Sequence, residues 1–426
     1  MRSKGLEILK NIVIALLTLS VVVLAITVYS DSTLSGAKQL QQWQQQLTRL
    51  FRDENYRLEY ASESLSSSTA AKPITISVRN SFGRQTTRYD AEALESAYEA
   101  LGGLLGEALE TAGEPQEVRT IDWRGALQQP GIYYAYSDPL PTQLLSGWLE
   151  VQGTLLTVTD RLVLCQQEDG IYLYCAISGG YLRAETAVDE TRFTELTEAC
   201  RPDGSAFVLE LETDAYDRLD KETILSMRSA ISIAEVRSEN SVDSALTTDL
   251  ASMFGFNPYG NSYTTSEGTQ IYEESTRSLA IAADGTLTVR NSGTQEGRFL
   301  ADSATDEALV EYSRALLEEI CGEIRADGKL QLTGLIRSGS EVSLTFDYFV
   351  NGIRVQNGTG SAARVLFSGT RLSELKVLLR TYSLTGGMYS LLPERQTAAI
   401  VEKGTRLKLC YSDRGAELLG AGWNRE

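Results

Sequence analysis

The apolar run NIVIALLTLSVVVLAITVYS, residues 11–30, constrains this chain more than any other feature. From Ile12 to Tyr29 it carries no charge, and only Thr18, Ser20 and Thr27 interrupt it. About 18 or more such residues cross the hydrocarbon core of a bilayer, so the run predicts a single transmembrane helix. Arg2, Lys4 and Lys10 precede it against one acid, Glu7, and Asp31 follows it. The positive-inside rule then places the N-terminus in the cytoplasm and the bulk of the chain outside the cell. A cleaved leader is the rival reading. Its apolar stretch is ordinarily shorter and ends in Ala-x-Ala, for which Val28-Tyr29-Ser30 is a poor substitute.

Behind the run, Leu40, Trp43, Leu47 and Leu50 recur at helical steps. This amphipathic helix either extends the anchor as a short stalk or packs on its own domain, and both readings stay open. The Ser-rich stretch ASESLSSSTAAKP, 61–73, reads as a linker.

With 426 residues, the chain is too long for one ordinary core. It has 57 acidic against 39 basic residues, a net charge of −18, which argues against nucleic acid as a partner. It has no histidine. That removes the commonest general base and metal ligand, rules out Ser-His and Cys-His catalysis, and means the chain is not itself a histidine kinase. Its five cysteines stand at no metal-like spacing. Cys165 and Cys175 flank a hairpin. A three-residue loop at Glu168-Asp169-Gly170 would set Cys165 against Leu173 and Cys175 against Val163. The two would then share a face on a diagonal of roughly 7–8 Å, at or beyond disulfide reach, so free buried thiols are expected.

The exterior reads as α+β: two or three lobes of antiparallel sheet packed with helices. The expected divisions are 1–30 (cytoplasmic tip and anchor), 31–71 (juxtamembrane helix and linker), 72–200, 201–298 and 299–426. In 72–200, KPITISVRN is a strand. Asp90 caps a helix faced by Leu94, Tyr98, Leu101, Leu105 and Leu109. GIYYAYSDPLPTQLLSGWL is a Tyr-rich strand that breaks at Pro139 and Pro141 into a helix. CRPDGS, 200–205, marks the boundary. The middle segment opens with the strand AFVLELE, 206–212, followed by helical patterns around 220–254. At Asp284-Gly285, a three-residue loop with Gly285 left-handed sets Ile281 against Leu287 and Leu279 against Val289, which keeps one apolar face. The last segment opens with a helix striped by Leu309, Tyr312, Leu316, Ile320 and Ile324, then strands. Among them FDYFVNGIRV, 346–355, is a hairpin on a type I′ Asn351-Gly352 turn, pairing Val350 with Ile353 and Tyr348 with Val355. Phe346, Tyr348, Val350, Ile353 and Val355 share one face, and Phe349 and Arg354 fall on the other.

Ser373-Glu374-Leu375-Lys376 matches the S-x-x-K nucleophile motif. The partner motifs are missing downstream, and Leu375, Val377 and Leu379 alternate as a strand where the motif needs a helix start. Glu273-Glu274 and Glu318-Glu319 read as surface charge. No catalytic, cofactor-binding or metal-binding residue is assigned, and the chain is read as non-enzymatic. Two other classes stay open: a wall-active hydrolase, whose carboxylate pair about 5–10 Å apart is set by space rather than sequence, and an extracellular module that inhibits or chaperones a secreted enzyme.

Four stretches resemble the YycH and YycI family: KGLEILKNIVIALLTLSVVVL, GIYYAYSDPLPTQLLSGWL, GTQIYEESTRSLAIAADGTLTVRN and FDYFVNGIRV. They stand along the chain in the family's order, and the length is similar to YycH. The ending AELLGAGWNRE departs from the family pattern. The resemblance implies a membrane-anchored accessory protein of the sensor histidine kinase that controls cell-wall metabolism in Gram-positive bacteria. It implies a three-part extracellular region and no active site. The expected partners are the kinase's membrane helices and a sister protein of the same family. Helix interfaces in lipid use small residues and hydroxyls, and Ala15, Thr18, Val22 and Ala25 form such a stripe. That stripe is the expected partner contact.

Overall fold

Period-two alternation builds two large sheets and two two-stranded ribbons in the computed structural model, which describes residues 71–425 except 212, 227–230, 259, 261, 294–298, 323–325 and 359. The expected anchor and the Ala15–Thr18–Val22–Ala25 stripe lie outside the described residues. Among those described, no helix is long and apolar enough to cross a membrane.

The first lobe runs β1 (Thr75–Asn80), β2 (Gly83–Arg88), α1 (Ala91–Thr111), β3 (Gln116–Val118), α2 (Thr120–Ala126), β4 (Gly131–Pro141), α3 (Thr142–Trp148), β5 (Val158–Gln167), β6 (Gly170–Ile177), β7 (Gly180–Glu185) and α4 (Glu190–Glu198). Its strands form one sheet in the order β2-β1-β4-β5-β6-β7-β3. The expected cap is present: Asp90 accepts from the Ala93 N–H at 3.0 Å. Leu94, Leu101, Leu105 and Leu109 are buried, and α1 shares a core with Ile132, Tyr134, Leu162 and Leu164. The Tyr134 hydroxyl donates to the Leu101 carbonyl at 2.9 Å, which satisfies the one polar atom of that ring. Because side chains alternate, Tyr133 of the same strand faces the other way, into a second cluster with Trp123, Phe207 and Ile224.

The thiol hairpin differs from expectation. Gln167 pairs with Gly170, so the loop has two residues, and Cys165 opposes Tyr172 while Cys175 opposes Leu162. That one-residue change sends the two cysteines to opposite faces and opposite clusters. Both are free and buried. Burial pushes the thiols of Cys165, Cys175 and Cys321 up to about 12.

The rest of the chain runs β8 (Ala206–Phe207), β9 (Ile224–Leu225), β10 (Ile231–Asn240), α5 (Ser244–Met253), β11 (Ser262–Thr264), β12 (Gln270–Glu273), β13 (Arg277–Ile281), β14 (Thr286–Asn291), α6 (Asp306–Cys321), β15 (Lys329–Ser338), β16 (Glu341–Val350), β17 (Ile353–Asn357), β18 (Ala363–Ser368), β19 (Arg371–Leu378), β20 (Arg380–Leu391), α7 (Glu394–Ala398), β21 (Leu407–Asp413) and β22 (Gly420–Arg425). The long sheet is ordered β11-β12-β13-β14-β19-β18-β16-β17-β21-β22, with β15 on the remaining edge of β16. The pairing of β14 with β19 carries this sheet across the 298/299 position. Ile281 opposes Leu287, Leu279 opposes Val289, and Gly285 is left-handed at φ 92°, as the apolar face requires.

Two local readings are corrected. The strand expected over 206–212 is only Ala206–Phe207, because a 3-10 turn follows at Val208–Glu210. Within that turn the Glu210 carboxylate accepts from the Phe207 N–H and is held by Arg79 and Arg84. The helical pattern expected around 220–254 holds only for α5. Residues 231–240 form β10, paired with β20 from Ile231–Leu391 to Asn240–Arg380. The strand alternation read at Leu375, Val377 and Leu379 breaks at Leu379, whose N–H donates to the Gly285 carbonyl at 2.8 Å, and β20 beyond it leaves the long sheet to form this ribbon. The fold is thus α+β and mostly strand, with antiparallel neighbours except for the parallel pair β17–β21.

Candidate functional site

The hairpin at 346–355 is where the lobes meet. Its turn is as predicted: Asn351 and Gly352 have φ of 53° and 75°, and Val350 opposes Ile353. The Tyr348–Val355 pair does not form. The β16–β17 ladder ends at Phe349–Arg354, because β17 turns away to pair Val355 with Tyr411 of β21. The second face of the hairpin is also covered, with Phe349 only 4% exposed. What covers it is the first lobe. The Asn351 side chain accepts from the Ala91 N–H at 3.1 Å, at the start of α1. Arg354 joins Asp138 of β4, at 3.1 Å, to Asp347 of its own sheet, at 2.5 Å. A second joint links α3 to α6, where the Trp148 indole donates to Glu311 at 3.1 Å.

Beside the hairpin a cleft opens between the lobes. It is lined by Arg88, Tyr133, Asp160 and Arg161 of the first lobe, by Glu222 and Thr223, and by Arg354, Arg406, Lys408 and Cys410 of the second. Its volume is about 110 Å³. Strand alternation explains the floor: with Tyr134 turned to α1, Tyr133 must point here. Charged groups in the lining are five cations, Arg88, Arg161, Arg354, Arg406 and Lys408, against two acids, Asp160 and Glu222. Carboxylates just behind the lining balance them: Glu394 pairs with Arg88, Asp138 and Asp347 with Arg354, and Asp220 with Arg406.

Glu222 is the hub. It pairs with Arg161, lies 3.7 Å from Arg406 and 3.8 Å from Arg124, and accepts from the Tyr181 hydroxyl at 3.1 Å. Arg406 also reaches Asp220 at 2.9 Å. The Glu222 carboxylate is therefore engaged by three guanidinium groups and a hydroxyl. Burial pushes Tyr133 up to about 12, with Arg161 and Arg406 acting against it, so its hydroxyl keeps its proton near neutral pH.

At the margin of the cleft, Arg88 pairs with Glu394 at 2.7 Å, and Glu394 also accepts from the Ser226 N–H at 2.6 Å. Burial raises the Glu394 carboxyl above 4.5, with Arg88 and the Ser226 N–H opposing it. Folding therefore favours the protonated form. The stability contributed by this group is complete below about 4.5 and is lost as pH rises through the raised folded value. Chemical denaturation from pH 4 to 8 is expected to show the Glu394→Gln protein gaining stability relative to the parent as pH rises. A difference that does not change with pH would refute this.

The motifs singled out in the sequence do not converge on this cleft. Ser373 lies in β19 and donates to the Leu366 carbonyl at 3.0 Å, and Lys376, three positions on, falls on the opposite strand face. Glu274 pairs with Arg277 at the surface. Among the described residues, no group of three or more Cys, Asp and Glu could hold a metal ion. The cleft residues named above come from six separated stretches, and the one local signal for them is Arg354 on the second face of the hairpin. Comparison with protein-family models, with curated proteins and with solved structures gives no match.

Proposed function

We propose that the chain is a membrane-anchored, non-enzymatic regulator facing the cell exterior, which acts by protein contact on a cell-wall-sensing two-component histidine kinase. The reading rests on the charge-flanked apolar run and on the four stretches similar to the YycH and YycI family. The structural observation that supports it is the joining of the two lobes through Asn351, Arg354 and Trp148.

Contact with the kinase is assigned to the Ala15–Thr18–Val22–Ala25 stripe of the predicted anchor. One interhelical hydroxyl bond contributes only about 0.6–2 kcal/mol, so the stripe acts collectively. Replacing Ala15, Thr18 and Ala25 together by Leu is expected to leave the protein inserted while co-purification with the kinase falls. If that variant binds and regulates normally, and removal of an exterior lobe abolishes both, the contact lies outside the membrane.

A further inference from the structure

Strand β22 closes the long sheet on an open edge. It pairs with β21 on one side, and among the described residues no strand pairs with its other side. Unpaired edges are templates for another chain, and proteins blunt them with charge, proline, a bulge or brevity. The other edges here follow that rule. Strands β3 and β11 have three residues each, and β15 carries Lys329 and Arg337. Strand β2 carries Arg84 and Arg88, and the Asp203 N–H donates to the Arg84 carbonyl at 3.0 Å. Strand β22 departs from the rule: its register with β21 has no shift, and Leu418 to Asn424 contain neither charge nor proline. Leu419 sets the phase of the strand. Its N–H donates to the Val236 carbonyl at 3.0 Å, and its carbonyl accepts from the Tyr389 hydroxyl at 3.0 Å, so both groups point away from β21. These orientations alternate in an antiparallel ladder. The backbone groups of Gly420, Gly422 and Asn424 therefore turn inward to Ser412, Cys410 and Lys408, and those of Ala421 and Trp423 turn outward to the open edge.

We propose that a second copy of this chain pairs on that edge, β22 against β22, antiparallel about a two-fold axis at Gly422. Ala421 of each copy then opposes Trp423 of the other, and each such pair exchanges both of its backbone hydrogen bonds. Side-chain sizes match in this register. The indole of Trp423 faces the methyl of Ala421, Asn424 faces Gly420, and glycine meets glycine on the axis. The contact is isologous, one patch serving both copies. Charge favours the same place. A surface of net charge −18 holds two copies apart, and on the uncharged run 418–424 they meet without opposing like charges. A six-residue edge is small beside the roughly 1,200–2,000 Å² of stable complexes, so the pair is weak in dilute solution and fills as the chain is concentrated. It does not depend on a kinase, because the purified chain alone either pairs or does not.

The test is disulfide trapping in the full-length chain, purified in detergent, concentrated and treated with copper phenanthroline as oxidant. A Cβ at Gly422 meets nothing within 4 Å, so Gly422→Cys should fold as the parent does. Across the axis, opposed residues of a non-hydrogen-bonded pair stand about 4.5 Å apart at Cα, within disulfide reach. Gly422→Cys is expected to run as a covalent dimer on a non-reducing gel, and the parent as a monomer. Gly420→Cys and Asn424→Cys should each stay monomeric alone and link when mixed, because the register sets them against each other and not against themselves. Adding Ala421→Pro to Gly422→Cys removes an outward N–H and leaves the β21 ladder its bonds, so the dimer band should be lost. The proposal is overturned if Gly422→Cys gives no dimer band, as when the edge serves a different protein. It is equally overturned if the band survives Ala421→Pro undiminished, or if Gly420→Cys alone links as strongly, which marks random collision.

Discussion

Asp347→Ala is expected to destabilise the protein by about 3 kcal/mol, because it removes a buried carboxylate that holds a half-buried arginine and strands a backbone donor. Asp347 is 2% exposed. It accepts from the Thr333 hydroxyl at 3.0 Å, from the Ala362 N–H at 2.9 Å and from Arg354 at 2.5 Å. Arg354 keeps about a third of its side chain in solvent, so the lost charge pair alone is discounted for screening. The larger part comes from the Ala362 N–H left without an acceptor. Asp347→Asn retains an oxygen acceptor and should cost clearly less. Urea unfolding of both variants checks this. A loss under about 1 kcal/mol for the alanine variant would mean that the joint between the lobes does not depend on this carboxylate.

Gly131→Ala is expected to cost a similar amount, about 3 kcal/mol, for a steric reason. A Cβ at Gly131 would stand 2.4 Å from the Leu164 carbonyl oxygen and 3.1 Å from the Cys165 Cα. Both are backbone atoms of β5, the strand paired with β4, so the ladder itself must part. Gly125 in α2 and Gly147 in α3 provide the control, since a Cβ at either meets nothing within 4 Å. Alanine there should be neutral or slightly stabilising, as alanine is the better helix former. Thermal unfolding that ranks Gly131→Ala with the two helix variants would show that the β4–β5 spacing is wrong.

How much of this was legible beforehand depended on the range of the forces involved. Local rules located the Asp90 cap, the Asn351-Gly352 turn and the Gly285 loop, because each is set by a few neighbouring residues. The loop at 168–169 was misjudged by one residue, and in a strand that error moves every side chain to the other face. Strand β10 was read as helix because its partner, β20, lies some 140 residues on and its alternation is imperfect: Glu235 and the bulge between Ala234 and Val236 interrupt it. The parallel pairing of β17 with β21 and the strand β22 left no local mark either. The cleft followed the same rule. Arg161, Glu222 and Arg406 carry no motif: Arg161 stands in β5, Glu222 in the turn before β9 and Arg406 just before β21, and only the tertiary fold brings them together.

Photo-crosslinking from position 18 in intact membranes tests contact with the kinase most directly. With a photoreactive residue in place of Thr18 in the full-length chain, an adduct that contains the membrane helix of a sensor histidine kinase is expected. Adducts with lipid alone, or with a secreted enzyme in place of a kinase, would contradict it.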